Sequence, residues 1–116
     1  MIVDDHPQVR RALAVFLDLW EDFQFVGEAD NGEKAVTLVE KLQPNLILMD
    51  LVMPVMDGVT ATRIIRQKFP DVRIVVLTST VELDIIQQAL DAGAKTYMLK
   101  NVNIDTMEKT IRSALD

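Results

Sequence analysis

The stretch Asn45 to Gly58, NLILMDLVMPVMDG, contains the strand that decides the fold. It opens with an unbroken apolar run from Leu46 to Met49. A strand that is apolar on both faces belongs in a parallel sheet covered by helices on both sides. The run ends at Asp50, and a proline and the pair Asp57-Gly58 then indicate a loop and the start of a helix. Because ligands of open α/β sheets bind beyond the carboxyl ends of the strands, Asp50 is the first candidate functional residue.

The rest of the chain repeats the same alternation of apolar strand and amphipathic helix. The predicted strands cover residues 1–3, 23–29, 46–49, 72–77 and 96–99. The predicted helices cover residues 7–19, 35–43, 57–69, 82–92 and 104–115, with Asn103 as the N-cap of the last. Five β-α units in succession predict an α/β fold with a parallel sheet and right-handed crossovers.

Composition limits the class of protein. The chain has 116 residues, enough for one domain, and no cysteine for disulfides or thiolate metal sites. A net charge of −6 argues against a nucleic-acid surface, because phosphate binding needs clustered Lys and Arg. No apolar run approaches the roughly 18 residues of a membrane span, and the acidic first residues do not form a signal peptide. We therefore expect a cytoplasmic protein.

Polar residues end four of the five predicted strands. They are Asp4-Asp5, Asp50, Thr78 and Lys100. Each alone has an ordinary structural explanation, such as a helix cap, a turn former or a solvated charge. In a parallel sheet, however, these ends share one edge, where three carboxylates repel one another unless a cation is present. Mg²⁺ prefers oxygen ligands and binds through one or two carboxylates plus phosphate, and Lys and Thr can contact phosphoryl oxygens.

Four motifs, in order, resemble those of response-regulator receiver domains. They are VDDHP at 3–7, MDLVMPVMDG at 49–58, VVLTST at 75–80 and YMLK at 97–100. The resemblance covers the whole chain, and DDHP together with the LK-Asn ending is similar to the NarL/FixJ-type subgroup. It implies a flavodoxin-like (βα)5 fold with strand order 2-1-3-4-5. It also implies that residues 1–116 are a receiver domain, followed in the native protein by a C-terminal helix-turn-helix output domain outside this chain.

The resemblance implies a role for each carboxylate. Asp50 is expected to be the nucleophile that accepts a phosphoryl group from the phosphohistidine of a partner kinase. Asp5, Asp50 and the backbone carbonyl of Val52 are expected to ligate Mg²⁺, with Asp4 acting through water. Such a domain supports its own Mg²⁺-dependent phosphorylation and dephosphorylation, so we do not expect an enzyme with a separate substrate.

Three further residues receive roles in the same way. Lys100 is expected to pair with the phosphoryl group, Thr78 to hydrogen-bond it, and Tyr97 to be the aromatic switch that turns inward on activation. His6 is interpreted as a loop residue and not as a phosphorelay histidine. Asn101 occupies a position where many receivers have a cis proline, and a cis bond without proline costs about 2.5–4 kcal/mol, so the sequence leaves this peptide geometry open.

The expected partners are a sensor histidine kinase or a phosphotransfer protein, with DNA contacted only through the output domain. We also expect a phosphorylation-dependent homodimer. One candidate surface is the fourth helix, fifth strand and fifth helix; the rival is the first and fifth helices. On the fourth helix, Leu83, Ile86 and Leu90 are predicted on one side. Ile85, Ala89 and Ala92 are predicted on another, and one of the two sides should stay accessible.

Three other interpretations compete with a phosphorylated receiver. A pseudo-receiver of the same fold would act as an interaction module without phosphorylation. A phosphatase of the haloacid dehalogenase type would need a second Asp where Val52 stands. A flavodoxin-like nucleotide binder would need a Gly- or Ser/Thr-rich loop after the first strand in place of Asp4-Asp5-His6.

Val52 and Thr80 depart from the receiver pattern at positions that often carry amides or carboxylates. Neither residue offers such a group to orient an attacking water. The sequence therefore predicts slow self-dephosphorylation, over minutes or longer.

Overall fold

A five-stranded parallel sheet is the centre of the computed structural model, which describes residues 1–79 and 81–116. The strand order is β2-β1-β3-β4-β5, which confirms the predicted order 2-1-3-4-5. The strands are β1 (Ile2–Val3), β2 (Glu28–Ala29), β3 (Leu46–Asp50), β4 (Arg73–Thr78) and β5 (Thr96–Leu99). The helices are α1 (Pro7–Asp18), α2 (Gly32–Leu42), α3 (Gly58–Lys68), α4 (Leu83–Asp91) and α5 (Ile104–Leu115).

Two apolar cores cover the two faces of the sheet. On one face, Ile47, Met49 and Ile74 pack in a cluster with buried residues of α2, α3 and α4. On the other, Leu48 and Val75 pack in a cluster with buried residues of α1 and α5. Because successive strand residues point to opposite faces, the apolar runs of β3 and β4 supply both cores at once. The sheet is therefore buried on both sides, as a parallel sheet requires.

The helices begin where the sequence provides caps. The side chains of Asn31, Asp57 and Asn103 accept hydrogen bonds from the backbone N–H of the third residue beyond each of them. Each such bond satisfies a donor that the first helical turn leaves free. Pro7 occupies the first turn of α1, as predicted. Within the described part of the chain, no helix combines the length and the apolarity needed to cross a bilayer.

The second strand is much shorter than predicted. We expected residues 23–29, whereas only Glu28 and Ala29 pair, opposite Ile2 and Val3. The partner strand β1 has two residues, so the ladder is short on both sides. Phe23, at the start of the predicted strand, instead packs edge-on against Trp20, with ring centroids 5.4 Å apart.

The predicted division of α4 into two apolar sides is wrong. Ile86 and Ala89, assigned to different sides, are both buried. They are three residues apart and therefore lie on one helical face. Ile85 is half-buried and packs against the first core. Leu83 is 70% exposed and is the accessible large apolar residue of this helix.

Candidate functional site

Four strand ends bring their polar residues to one edge of the sheet. Asp4 follows β1, Asp50 and Thr78 are the last residues of β3 and β4, and Lys100 follows β5. The register pairs Asp50 with Leu77 and Thr78 with Leu99. The backbone N–H of Lys100 also donates to the carbonyl of Thr78 at 2.9 Å. The parallel ladder thus places the predicted site residues side by side.

Lys100 joins two of the carboxylates. Its Nζ lies 2.8 Å from Asp4 Oδ2 and 3.2 Å from Asp50 Oδ2. Burial lowers the pKa of Lys100, but the two carboxylates outweigh it, so the pKa is raised overall. The lysine therefore stays charged and holds the two acids together, although it cannot neutralise three carboxylates.

Asp4 is fully buried between Lys100 and the start of α1. Its Oδ1 accepts a hydrogen bond from the His6 backbone N–H at 2.9 Å and lies 3.1 Å from His6 Nδ1. Its backbone carbonyl accepts a hydrogen bond from Arg10 Nη1 at 2.7 Å. Both ends of the residue are therefore fixed. Asp5 is more open, with its side chain 29% exposed, and its Oδ1 lies 3.2 Å from the same His6 nitrogen.

Asp50 is 4% exposed, and its carboxyl group has a raised pKa. Burial, followed by the charge of Asp4, raises its pKa to about 6, against the lowering effect of Lys100. At neutral pH the carboxylate is ionised, but at a cost to the folded state. This is the electrostatic condition under which an added cation stabilises a site.

The carboxylates fit a small oxygen-seeking cation. One ligand atom from each of Asp4, Asp5, His6 and Asp50 lies within 4.8 Å of the others. Apart from ion pairs with Lys100 and His6, three buried oxygens have no hydrogen-bond partner among the described residues. They are Asp4 Oδ2, Asp5 Oδ1 and Asp50 Oδ2. Mg²⁺ takes such carboxylate oxygens at about 2.0–2.1 Å and keeps several waters.

The loop after β3 is held tightly beneath Asp50. The Gly58 N–H donates to the Leu51 carbonyl at 2.9 Å. A Cβ on Gly58 would lie 2.1 Å from the Asp50 carbonyl oxygen, so only glycine fits at this point. Between them, Val55 has a φ of 68°, and the Met56 N–H donates to the Pro54 carbonyl at 2.7 Å. This pattern is a γ-turn with positive φ, which is rare and strained for a β-branched residue.

A cleft of about 310 Å³ opens above Asp50. Asp5, Asp50, Thr78 and Lys100 line it, as do His6, Leu51, Val52, Ser79, Glu82 and Ile85. A larger cavity of about 550 Å³, near Phe23, contains none of these residues, and two of its charged lining residues, Asp22 and Arg112, already pair with each other. The chemistry therefore points to the smaller cleft. Thr80, the other departure from the receiver pattern, lies outside the described residues.

Tyr97 faces outward in this structure, with 40% of its surface exposed. It lies in the middle of β5, paired in register with Val76. Among the described residues no peptide bond is cis, so the bond between Lys100 and Asn101 is trans.

The family model described as the response regulator receiver domain matches residues 1–112. The chain belongs to this family. The receiver domain is 41% identical over 114 residues to the transcriptional regulatory protein LiaR of Bacillus subtilis, covering 98% of this chain and 54% of LiaR. It is 39% identical over 116 residues to the response regulator protein VraR of Staphylococcus epidermidis, covering 100% of this chain and 56% of VraR.

Solved structures agree with the fold. The receiver domain of the response regulator NarL from Mycobacterium tuberculosis has a TM-score of 0.92 at 31% identity, covering 98% of this chain and 92% of that one. The chain spans about half the length of the curated relatives that it matches.

Two ionisable residues of the cleft, His6 and Glu82, were not predicted from the sequence as site residues. His6 contacts both Asp4 and Asp5, and Glu82 brings a further carboxylate to the rim. For His6, its position in the sequence directly after Asp4 and Asp5 could have indicated a place in the site. Glu82 comes from the start of α4, after Thr80, and the apolar pattern there gives no indication of its direction.

Proposed function

We propose that this receiver domain is a cytoplasmic phosphorylation switch in which Asp50 accepts a phosphoryl group. The donor is a phosphohistidine on a sensor histidine kinase or a phosphotransfer protein. The observation that carries the proposal is the bridge from Lys100 Nζ to Asp4 and Asp50, because it places a fixed positive charge beside a buried nucleophile. A pseudo-receiver would not need this charge.

Asp5, Asp50 and the backbone carbonyl of Val52 would hold Mg²⁺ in this proposal, and Asp4 would act through water. Asp4 fits the indirect role because Lys100 and His6 already occupy its two oxygens. When bound, Mg²⁺ supplies charge that neutralises the phosphoryl oxygens.

The transfer then follows from the position of each side chain. A carboxylate oxygen of Asp50 attacks phosphorus, the P–N bond to the donor imidazole breaks, and the electron pair leaves with that nitrogen. Lys100 pairs with the phosphoryl oxygens, and the Thr78 hydroxyl donates to one of them. The product is an acyl phosphate on Asp50. Thr78 would move toward the phosphoryl group, and Tyr97 would then turn inward.

The output of the switch is proposed to be transcriptional. LiaR is a transcriptional regulatory protein about twice as long as this chain. A structural neighbour from Staphylococcus aureus, 27% identical with a TM-score of 0.92, is described as a DNA-binding response regulator. These relatives support the proposal that a helix-turn-helix domain follows residue 116 in the native protein and that the phosphorylated state is a homodimer. Sedimentation of the beryllofluoride-treated domain, with Leu83→Glu to test the α4 surface, checks the dimer.

Intact-mass measurement after incubation with a small acyl-phosphate donor tests the proposal. The parent should gain one phosphoryl group when Mg²⁺ is present and lose that gain in EDTA. Lys100→Met should reduce labelling strongly while keeping the fold. A parent that gains no phosphate under any condition would favour the pseudo-receiver instead.

A further inference from the structure

His6 places a ring nitrogen against two carboxylates at once. Its Nδ1 lies 3.1 Å from Asp4 Oδ1 and 3.2 Å from Asp5 Oδ1. One ring N–H can point well at only one of them, and Asp5 Oδ1 in fact has no hydrogen-bond partner among the described residues. Asp50, 4% exposed, contributes another buried oxygen, Oδ2, which pairs with Lys100 and has no hydrogen-bond partner among the described residues. The group therefore offers nitrogen and oxygen atoms together.

The separations match those between neighbouring ligands of one metal ion. If each bond to a shared ion is about 2.1 Å, the separations of 3.1 and 3.2 Å correspond to angles of about 95° and about 100° at the ion. Such angles lie between octahedral and tetrahedral values. The fourth residue, Asp50, is within reach, since all four ligand atoms lie within 4.8 Å of one another. A modest inward movement of the Asp50 side chain would complete the set of four metal ligands.

We infer that His6 is a metal-selecting ligand, which with Asp4 Oδ1, Asp5 Oδ1 and Asp50 lets the site take a borderline transition-metal ion such as Zn²⁺ or Co²⁺. Imidazole suits these ions, whereas Mg²⁺ selects oxygen. The inference rests on the proposed metal site and adds to it a nitrogen ligand. Asp4 would then be a direct ligand to the transition metal through Oδ1, using the lone pair that the His6 backbone N–H leaves free on that oxygen, whereas it acts through water with Mg²⁺.

Lys100 does not block this arrangement. Its Nζ contacts the Oδ2 atoms of Asp4 and Asp50, while the atoms that face His6 are the Oδ1 atoms of Asp4 and Asp5. The His6 side chain is 60% exposed, so the ring can keep its proton on Nε2 in contact with solvent and offer the Nδ1 lone pair. The bound ion would occupy the space that the phosphorylation reaction uses, and it would therefore compete with Mg²⁺.

The experiment compares Zn²⁺ and Mg²⁺ binding by calorimetry in the parent, His6→Asn, Asp5→Asn and the control Asp71→Asn. Asp71 is exposed and precedes β4 at the opposite edge of the sheet. Since the chain has one histidine and no cysteine, no other imidazole or thiolate competes. His6→Asn should weaken Zn²⁺ binding by roughly 10- to 100-fold. It should change Mg²⁺ binding by less than about 2-fold, because Mg²⁺ does not use nitrogen.

The imidazole signals of the single histidine give a second readout by NMR. Zn²⁺ should shift the Nδ1 resonance strongly, and Mg²⁺ should leave it nearly in place. Equal losses of Zn²⁺ and Mg²⁺ affinity in His6→Asn, or an unmoved Nδ1 resonance, would overturn the inference. The proposed function would still stand in that case, provided that Asp5→Asn weakens Mg²⁺ binding. If Asp5→Asn weakens the binding of neither Zn²⁺ nor Mg²⁺, both the inference and the proposed metal site are contradicted.

Discussion

Replacing Asp50 with asparagine should stabilise the metal-free domain at neutral pH. Asp50 ionises at a cost, since burial and the charge of Asp4 raise its pKa from 3.8 to about 6. Asparagine has nearly the same shape and no charge. This rise in the pKa corresponds to at most about 3 kcal/mol of folding free energy. Solvent in the cleft screens part of this, so we expect a gain of about 1–2 kcal/mol in the free energy of unfolding.

The sign of the pH dependence follows from the direction of the shift. A carboxyl whose folded pKa is raised contributes its full stability below the unfolded pKa of 3.8, and that contribution is lost as the pH rises through about 6. The gain in the free energy of unfolding from Asp50→Asn should therefore be complete above pH 7 and shrink toward zero near pH 4. Saturating Mg²⁺ should stabilise the parent and have little effect on the variant.

Thermal and urea unfolding in EDTA, from pH 4 to pH 8, measure this difference. Asp71→Asn is the control, because that residue is exposed and far from the acidic group. A variant less stable than the parent at pH 7.5 would refute the account of Asp50, as would an advantage that stays constant down to pH 4.

Three further outcomes test other parts of the structure. Val55→Asn should raise the free energy of unfolding by about 1 kcal/mol, as judged by urea titration, because asparagine accepts the positive φ at less cost. Val52, 73% exposed beside Asp50, offers no group to orient water, so the acyl phosphate should last minutes and Val52→Asn should speed its loss about 10-fold. Decay of the parent within seconds would contradict this. Mg²⁺ should leave Trp20 fluorescence unchanged, because the 12-residue α1 separates it from Asp5 by roughly 18 Å.

The strand ends could be predicted because their signal is local. An apolar run such as β3 that stops at Asp50 indicates both a buried strand and the edge where it ends. Once four such ends are assigned to one parallel sheet, the meeting of Asp4, Asp50, Thr78 and Lys100 follows from topology. The ion pairs of Lys100 are the geometric consequence.

The features that sequence reasoning missed depend on pairing and side-chain direction. The length of β2 is set by its partner β1, which the residues at 23–27 cannot reveal. The buried face of α4 is set by where the helix sits on the core, so Ile86 and Ala89 share it despite our assignment. The approach of His6 to two carboxylates arises from the turn into α1, which periodicity does not describe.

The measurement that tests the central claim most directly is the location of the phosphate on the chain. The domain would be incubated with an acyl-phosphate donor and Mg²⁺, digested at low temperature and mapped by mass. We predict one phosphoryl group, on the peptide that contains Asp50, and no labelling of that peptide in Asp50→Asn. A phosphate on another residue, or equal labelling of the variant, would contradict the account.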